Sequence, residues 1–305
     1  MNVVSRKDLD DSKWNFLVLN TKGSSIFSHT SYLDSVAENW CVLVNESYSS
    51  GMALPYTIRF GVKNLYTPNF SRYIEWLYLD AENKKIPKDL FKQLQFYFKV
   101  ASFNSRFIIH EKFNAFFVHQ INDGLKEYNK LSKRMLKKFE NSQYTINNSS
   151  KKEQVLAFIN HNLSRKVLHL NRLDYERLEK LINALQKENL LTIKAVYNEI
   201  GEIEGGCFFV EQNDSILYLK GACSLKSQNT GAMYALMNEG ILYAKSKNKF
   251  FDYGGSRITG VRQFFMNIGG YDKKYYYYQW NKSPFPFKTA FFLKNIISKK
   301  TKNNR

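Results

Sequence analysis

Between residues 192 and 281 the order of elements along this chain is legible almost without a gap, and that order admits few folds. Residues 192–197, 204–210 and 216–222 are short apolar runs. NEIGEIEG joins the first two and Gln212-Asn213-Asp214 leads into the third, which predicts a meander of three antiparallel strands. A helix over 228–245 follows, then a strand at 250–253 and the small-residue loop Gly254-Gly255-Ser256. A helix to about 267, a stop at Gly269-Gly270 and an aromatic strand over 275–280 complete the series. Tyr275 to Tyr278 puts two rings on each face of that strand, as core and as surface. Meander, helix, strand, helix, strand is an α/β (α+β) order, with a mixed and mostly antiparallel sheet flanked by helices.

The first half carries a coarser version. Helices are expected over 10–19, with Trp14, Leu17 and Val18 at helical spacing, and over 31–37. A strand at 41–44, turn residues at 47–51 and a strand at 53–60 form a hairpin, whose second strand Pro55 weakens or places at an edge. A helix over 88–100 and strands at 106–110 and 115–119 come next. The spacing of Leu125, Tyr128, Leu131, Met135 and Phe139 predicts a helix over 125–139 with one apolar stripe. The polar stretch NSQYTINNSSKK at 141–152 is the expected boundary, with helices at 153–160 and 173–187 beyond it. Hairpin, helix and strand thus recur in both halves, without sequence identity between them.

Charge narrows the partners. Lys and Arg number 45 against 27 Asp and Glu, a net +18 that attracts nucleic acid, nucleotide phosphates or anionic lipid. An AT-rich genome also encodes such a lysine-rich composition, so the surplus alone decides nothing. Lys130, Lys133, Arg134, Lys137 and Lys138 fall at i, i+3, i+4, i+7 and i+8, one cationic helix face and the candidate phosphate-binding surface. After Asp272 no acidic residue follows. The segment 282–305 interleaves lysines with Phe285, Phe287, Phe291 and Phe292, which suits a membrane surface or nucleic acid, or packing back onto the fold.

Cys41, Cys207 and Cys223 form no CxxC pair, and His29, His110, His119, His161 and His169 have no metal-site spacing, so neither a disulfide framework nor a metal is expected. No apolar run approaches the roughly 20 residues of a membrane span, and the first residues lack a signal-peptide core. The expectation is a cytoplasmic protein, with a peripheral place at the inner membrane surface as an option.

The segment 240–271, GILYAKSKNKFFDYGGSRITGVRQFFMNIGGY, resembles the FemAB-type branch of the GNAT acyltransferase superfamily. Phe251, Asp252, Tyr253, Gly254, Gly255, Phe264, Phe265, Gly269 and Gly270 carry the likeness, with Gly205-Gly206 and Lys220-Gly221-Ala222 upstream. Ile26 to Thr30 and the basic segment 131–138 extend it into the first half.

The resemblance implies two GNAT-like lobes, 1–145 and 146–281, with 282–305 packing back on one of them. It implies transfer from an activated donor, aminoacyl-tRNA or an acyl thioester, to an amine acceptor such as a cell-envelope precursor. The donor is a co-substrate, and no cofactor is tightly bound. Asp252 and Ser256 are the candidate catalytic residues. Lys220, Tyr253, Gly254, Gly255, Arg257 and Arg262 are the candidate substrate-binding residues. Paired glycines at a strand end expose N–H groups to an anion, and Asp252 is either a general base or a cap of the turn. If the centre lies elsewhere, Tyr56, Tyr66 and Arg72 are the alternatives.

CoA-dependent relatives grip pyrophosphate with R/Q-x-x-G-x-G/A, and here Gln228 and Gly231 fit while Met233 stands where Gly or Ala is needed. That departure favours an aminoacyl-tRNA donor. A CoA- or carrier-protein-dependent N-acyltransferase, and a catalytically silent module that binds RNA or membrane, remain the other readings.

Overall fold

The computed structural model describes residues 1–164, 170–256 and 258–283. Arg257 and nearly all of the 282–305 segment therefore lie outside the described residues.

The chain begins with β1 (Asn2–Ser5) and α1 (Asp11–Asn20). The Asp10 carboxylate caps α1 by accepting the Lys13 N–H, and the helix buries Trp14, Leu17 and Val18. A 3-10 turn at Ile26–Ser28 leads into α2 (Thr30–Val36). Then β2 (Asn39–Val44), β3 (Ser50–Arg59) and β4 (Val62–Tyr66) form an antiparallel meander, with β5 (Trp76–Tyr78) added to β3. Pro55 does not make β3 an edge. It falls at 53–55, the stretch that neither β5 nor β4 reaches, so its missing N–H costs no ladder bond on that side.

After α3 (Leu90–Tyr97) the chain enters β6 (Val100–Ser105), parallel to β4, and then β7 (Ala115–Asn122). The strand expected at 106–110 is a loop. The Tyr278 hydroxyl accepts the N–H groups of Ile109 and His110, so the apolar side chains pack without a ladder. The helix expected from 125 starts five residues later, as α4 (Lys130–Glu140) capped by Asn129, and Leu125 is 87% exposed. An edge strand, β8 (Thr145–Asn148), occupies part of the polar stretch expected as the boundary.

The second half continues with α5 (Lys152–Ser164) and α6 (Arg172–Lys187), the latter closed by an Asn171/Asp174 capping box. The meander is β9 (Leu191–Tyr197), β10 (Ile203–Glu211) and β11 (Ser215–Cys223). The single helix expected next is broken into α7 (Leu225–Asn229) and α8 (Ala232–Ser246) by Gly231, whose φ is +96°. Last come β12 (Phe250–Asp252), parallel to β11, then α9 (Thr259–Asn267) and β13 (Tyr271–Asn281).

The described strands form one sheet ordered β1-β2-β3-β4-β6-β13-β7-β12-β11-β10-β9-β8, with β5 off this path. Each half contributes a parallel pair, β4 with β6 and β11 with β12. The final strand of each half then crosses over. β7 pairs with β12 of the second half, and β13 pairs with β6 of the first. The two exchanged strands run antiparallel against each other at the centre, from Tyr271↔Ile121 to Tyr277↔Ala115.

One apolar cluster spans both halves, joining Phe27, Tyr32 and Tyr73 to Leu178, Leu181, Phe208 and Tyr275. The others lie under α3, under α1 and α2, and under α8. Cys41, Cys207 and Cys223 are buried thiols. Among the described residues no helix is long and apolar enough to cross a membrane.

Candidate active site

The strands β11 and β12 pair for three residues, Ser215↔Phe250 to Leu217↔Asp252, and then part. At the parting β11 bulges. Lys220 faces Phe208 and Tyr218 faces Phe209, which leaves Leu219 as an extra residue on that strand. On the other side the chain turns through Gly254 and Gly255, with φ of +77° and +70°. A Cβ at Gly254 would stand 2.7 Å from the Tyr218 carbonyl oxygen, and one at Gly255 would stand 2.8 Å from the His119 Cβ. Conformation and space both require glycine there.

Beneath this loop three elements bring their polar side chains together. Arg72, from the segment between β4 and β5, donates Nη1 and Nη2 to the two Asp252 oxygens at 2.7 Å each. His119, from β7, holds its Nδ1 2.7 Å from Arg72 Nη1 and 3.7 Å from the Asp252 carboxylate. The Gly254 N–H donates to Asp252 Oδ1 at 2.9 Å, and Arg72 Nε donates to the Gly254 carbonyl at 3.3 Å. All three side chains are buried, and the guanidinium lies 5.5 Å from the Tyr73 ring and 5.7 Å from that of Phe27.

The electrostatics follow from this geometry. Burial by itself would raise the Asp252 pKa, but the Arg72 guanidinium, with His119, holds the carboxyl well below the usual range. Burial, reinforced by Arg72, pushes His119 down to about 4, so its imidazole is neutral near pH 7. Because Arg72 can only donate, His119 Nδ1 accepts and Nε2 carries the proton. Neither group is then a free base: the aspartate is ion-paired on both oxygens, and the histidine nitrogen that could accept is taken. As a general base Asp252 would first have to break a buried ion pair. Its position is that of the cap and anchor of the Gly254-Gly255 turn.

The other expected site residues divide. Lys220 stands at the β11 bulge, with Nζ 5.8 Å from the Phe70 ring, and burial lowers its pKa. Among the described residues no acid pairs with it. Ser256 accepts the Ile258 N–H at 3.1 Å, a turn contact just before α9. Tyr253 belongs to the core. It is stacked on Phe265 at 5.0 Å, and its hydroxyl donates to the Ile268 carbonyl and accepts from Asn122 Nδ2. Arg262 is ion-paired with Asp272 at the surface. Arg257 lies outside the described residues. Of Tyr56, Tyr66 and Arg72, Arg72 joins the cluster, while Tyr66 accepts the Glu38 N–H and Tyr56 packs on Phe98 in the first half. His119 was not expected. Its signal was there only in combination, as a polar residue within an apolar strand of the first half that the strand exchange carries to β12.

Lys130, Lys133, Arg134, Lys137 and Lys138 are all exposed on α4, and Lys133 pairs with Glu127 at 2.9 Å. The buried side of α4 differs from the expected stripe. Ser132 is buried and donates to the Asn267 carbonyl, with Met135, Leu136 and Phe139 partly buried beside it, whereas Leu131 is exposed. This side seals the start of α8, since a Cβ on Gly231 would overlap the Met135 carbonyl oxygen. Three amides of the preceding turn are used internally. Gln228, Thr230 and Gly231 donate to Ser224, Ser227 and Gln228. Among the described residues no group of His, Cys, Asp and Glu is placed to hold a metal ion.

No protein-family model and no curated protein sequence matches this chain. Solved structures do. FemX superposes with a TM-score of 0.65 at 11% identity, over 92% of this chain and 98% of its own. L-PGS from Bacillus licheniformis gives 0.59 at 15% identity, over 94% and 97%. A tandem GNAT protein from the clavulanic acid biosynthesis pathway gives 0.51 at 8% identity, over 93% and 99%. The fold is a FemAB-like double GNAT fold.

Proposed function

From that fold we propose that the chain transfers an aminoacyl group from aminoacyl-tRNA to an amine acceptor, with the cleft between β11 and β12 as the reacting centre. The observation that carries the choice of donor is the sealed start of α8. A CoA pyrophosphate would need close approach to the backbone at Gly231, where the Met135 carbonyl of α4 stands, and the amides of Gln228, Thr230 and Gly231 are hydrogen-bonded within the turn. The cover itself presents an exposed row of four lysines and one arginine to solvent, which suits the phosphodiester backbone of an RNA.

Transfer from an activated ester needs positioning and a donor for the developing oxyanion more than it needs a strong base. The bulged strand is not paired with β12 beyond Leu217, and Lys220 adds an amine that no acid among the described residues pairs with. The incoming amine adds to the ester carbonyl, the tetrahedral oxyanion collapses, and the tRNA ribose oxygen leaves with the proton the amine gives up. A silent binding module is the second reading, favoured by the locked state of Asp252 and His119.

The test is label transfer from aminoacyl-tRNA charged with a radioactive amino acid to a panel of amine acceptors, run beside labelled acetyl-CoA. Transfer from the tRNA and not from CoA supports the reading, and transfer from CoA overturns it. Binding of the charged tRNA with no transfer to any acceptor favours the silent module. A tRNA at about 100 times its Kd should stabilise the fold by about 2.7 kcal/mol.

A further inference from the structure

We propose that one end of the first half is a docking face for an anionic lipid bilayer. The face is built by the C-terminus of α3, the start of β6, the β3–β4 turn and the end of β13. It is independent of the transfer reading, since the face lies away from the cleft between β11 and β12.

These pieces are knit together. Lys282 donates its N–H to the Lys99 carbonyl at 2.7 Å and its Nζ to Gln95 at 2.6 Å, and the Trp280 indole donates to the Phe98 carbonyl. The Tyr56 ring lies 5.9 Å from that of Phe98, and Lys63 sits 5.1 Å from the Tyr56 ring. On this frame large apolar side chains stand exposed: Phe96 is 71% exposed, Ile58 45% and Tyr97 39%. Lysines fringe them. Lys63, Lys92, Lys99 and Lys282 are exposed, and Lys99 lies 5.4 Å from the Phe96 ring.

Charge complementarity selects the partner. The segments 56–66, 90–104 and 273–283 contain no Asp or Glu, and the neighbouring Glu38 is already tied to Arg59 at 3.1 Å. Exposed aromatic rings ringed by long cationic side chains, with no acid among them, fit a bilayer interface. There the rings enter the headgroup boundary and the ammonium groups stay with lipid phosphates. The sequence that continues from this end, 284–305, is also rich in Lys and Phe and free of acids.

The experiment is co-sedimentation of the full chain with vesicles of phosphatidylcholine alone or with a third of phosphatidylglycerol. The expected result is binding to the anionic vesicles, weakened by salt, and little to the neutral ones. Phe96→Ser with Tyr97→Ser should lower the partition by about tenfold or more, from lost apolar burial. Lys63→Gln, Lys92→Gln and Lys99→Gln together should lower it by about fivefold per lysine. Both variants change exposed side chains, so their melting points should match the parent. Equal binding to neutral vesicles, or unchanged partition in both variants, overturns the proposal. So does loss of vesicle binding on substituting Lys133 and Lys137, which would assign the contact to α4. Binding of tRNA but not vesicles through the same three lysines also overturns it and makes the face a nucleic-acid surface.

Discussion

At the scale of single residues, the Arg72–Asp252 pair decides how substitutions at the strand end behave. Removing one partner of a buried ion pair leaves the other charge uncompensated, at a cost of about 3–5 kcal/mol. Asp252→Asn should therefore lower the melting point sharply, alongside Gly255→Val, whose side chain meets His119 at a positive φ. A variant that keeps its melting point but loses transfer by about 100- to 10,000-fold would restore Asp252 as the general base.

His119 gives a pH signature. Its folded pKa, about 4, lies below the ordinary 6.5, so between those values the unfolded chain binds more protons than the folded one. Stability then rises with pH across that window and is lost as pH falls through it, by at most about 3 kcal/mol. Asp252, depressed by Arg72, acts in the same direction at lower pH. Urea titrations at several pH values should show the slope between 6.5 and 4 flattened in His119→Asn, which keeps an acceptor near Arg72. An unchanged slope would place the protons elsewhere, His29 first, since burial lowers its pKa too.

At the scale of elements, α4 is where sequence and structure part most instructively. Its cationic face is readable from spacing, because charge on an exposed helix needs no tertiary knowledge. Its buried face is not. Ser132 is buried because the Asn267 carbonyl waits for it, and Leu131 is exposed because α8 lies on the other side. The meander of 192–222 is legible for a related reason, being local, whereas the apolar stretch 106–110 reads as a strand although the strand, β6, precedes it. If α4 meets RNA, replacing Lys133, Arg134, Lys137 and Lys138 with Gln should flatten the dependence of log K on log salt by about 0.7 per lost single-strand phosphate contact. The slope should stay as it was if that face is only solvated.

At the scale of the molecule, the exchange of β7 and β13 makes the two halves interdependent. Residues 1–145 alone would expose β6 along one edge and leave β7 without β12 or β13, and such edges aggregate. Urea unfolding of the whole chain should give one transition by both fluorescence and circular dichroism, and each half expressed alone should be insoluble. Two separated transitions would mean that the central strands are not the tie they look to be. The exchange was beyond reach from the sequence, because an apolar strand records its faces but not its neighbours. The same fact hid the candidate site, whose Arg72, His119 and Asp252 come from three distant segments.

The strand exchange also sets a timetable for synthesis. β7 leaves the ribosome well before β12 and β13, the strands that flank it. At about 5–20 residues per second, translation from Asn122 to Asn281 takes about 8–30 s. Throughout that interval the nascent first half holds unpaired edges open to other chains. A growing polypeptide of this design depends on whatever shields it during that wait, and faster elongation through the second half would shorten its exposure.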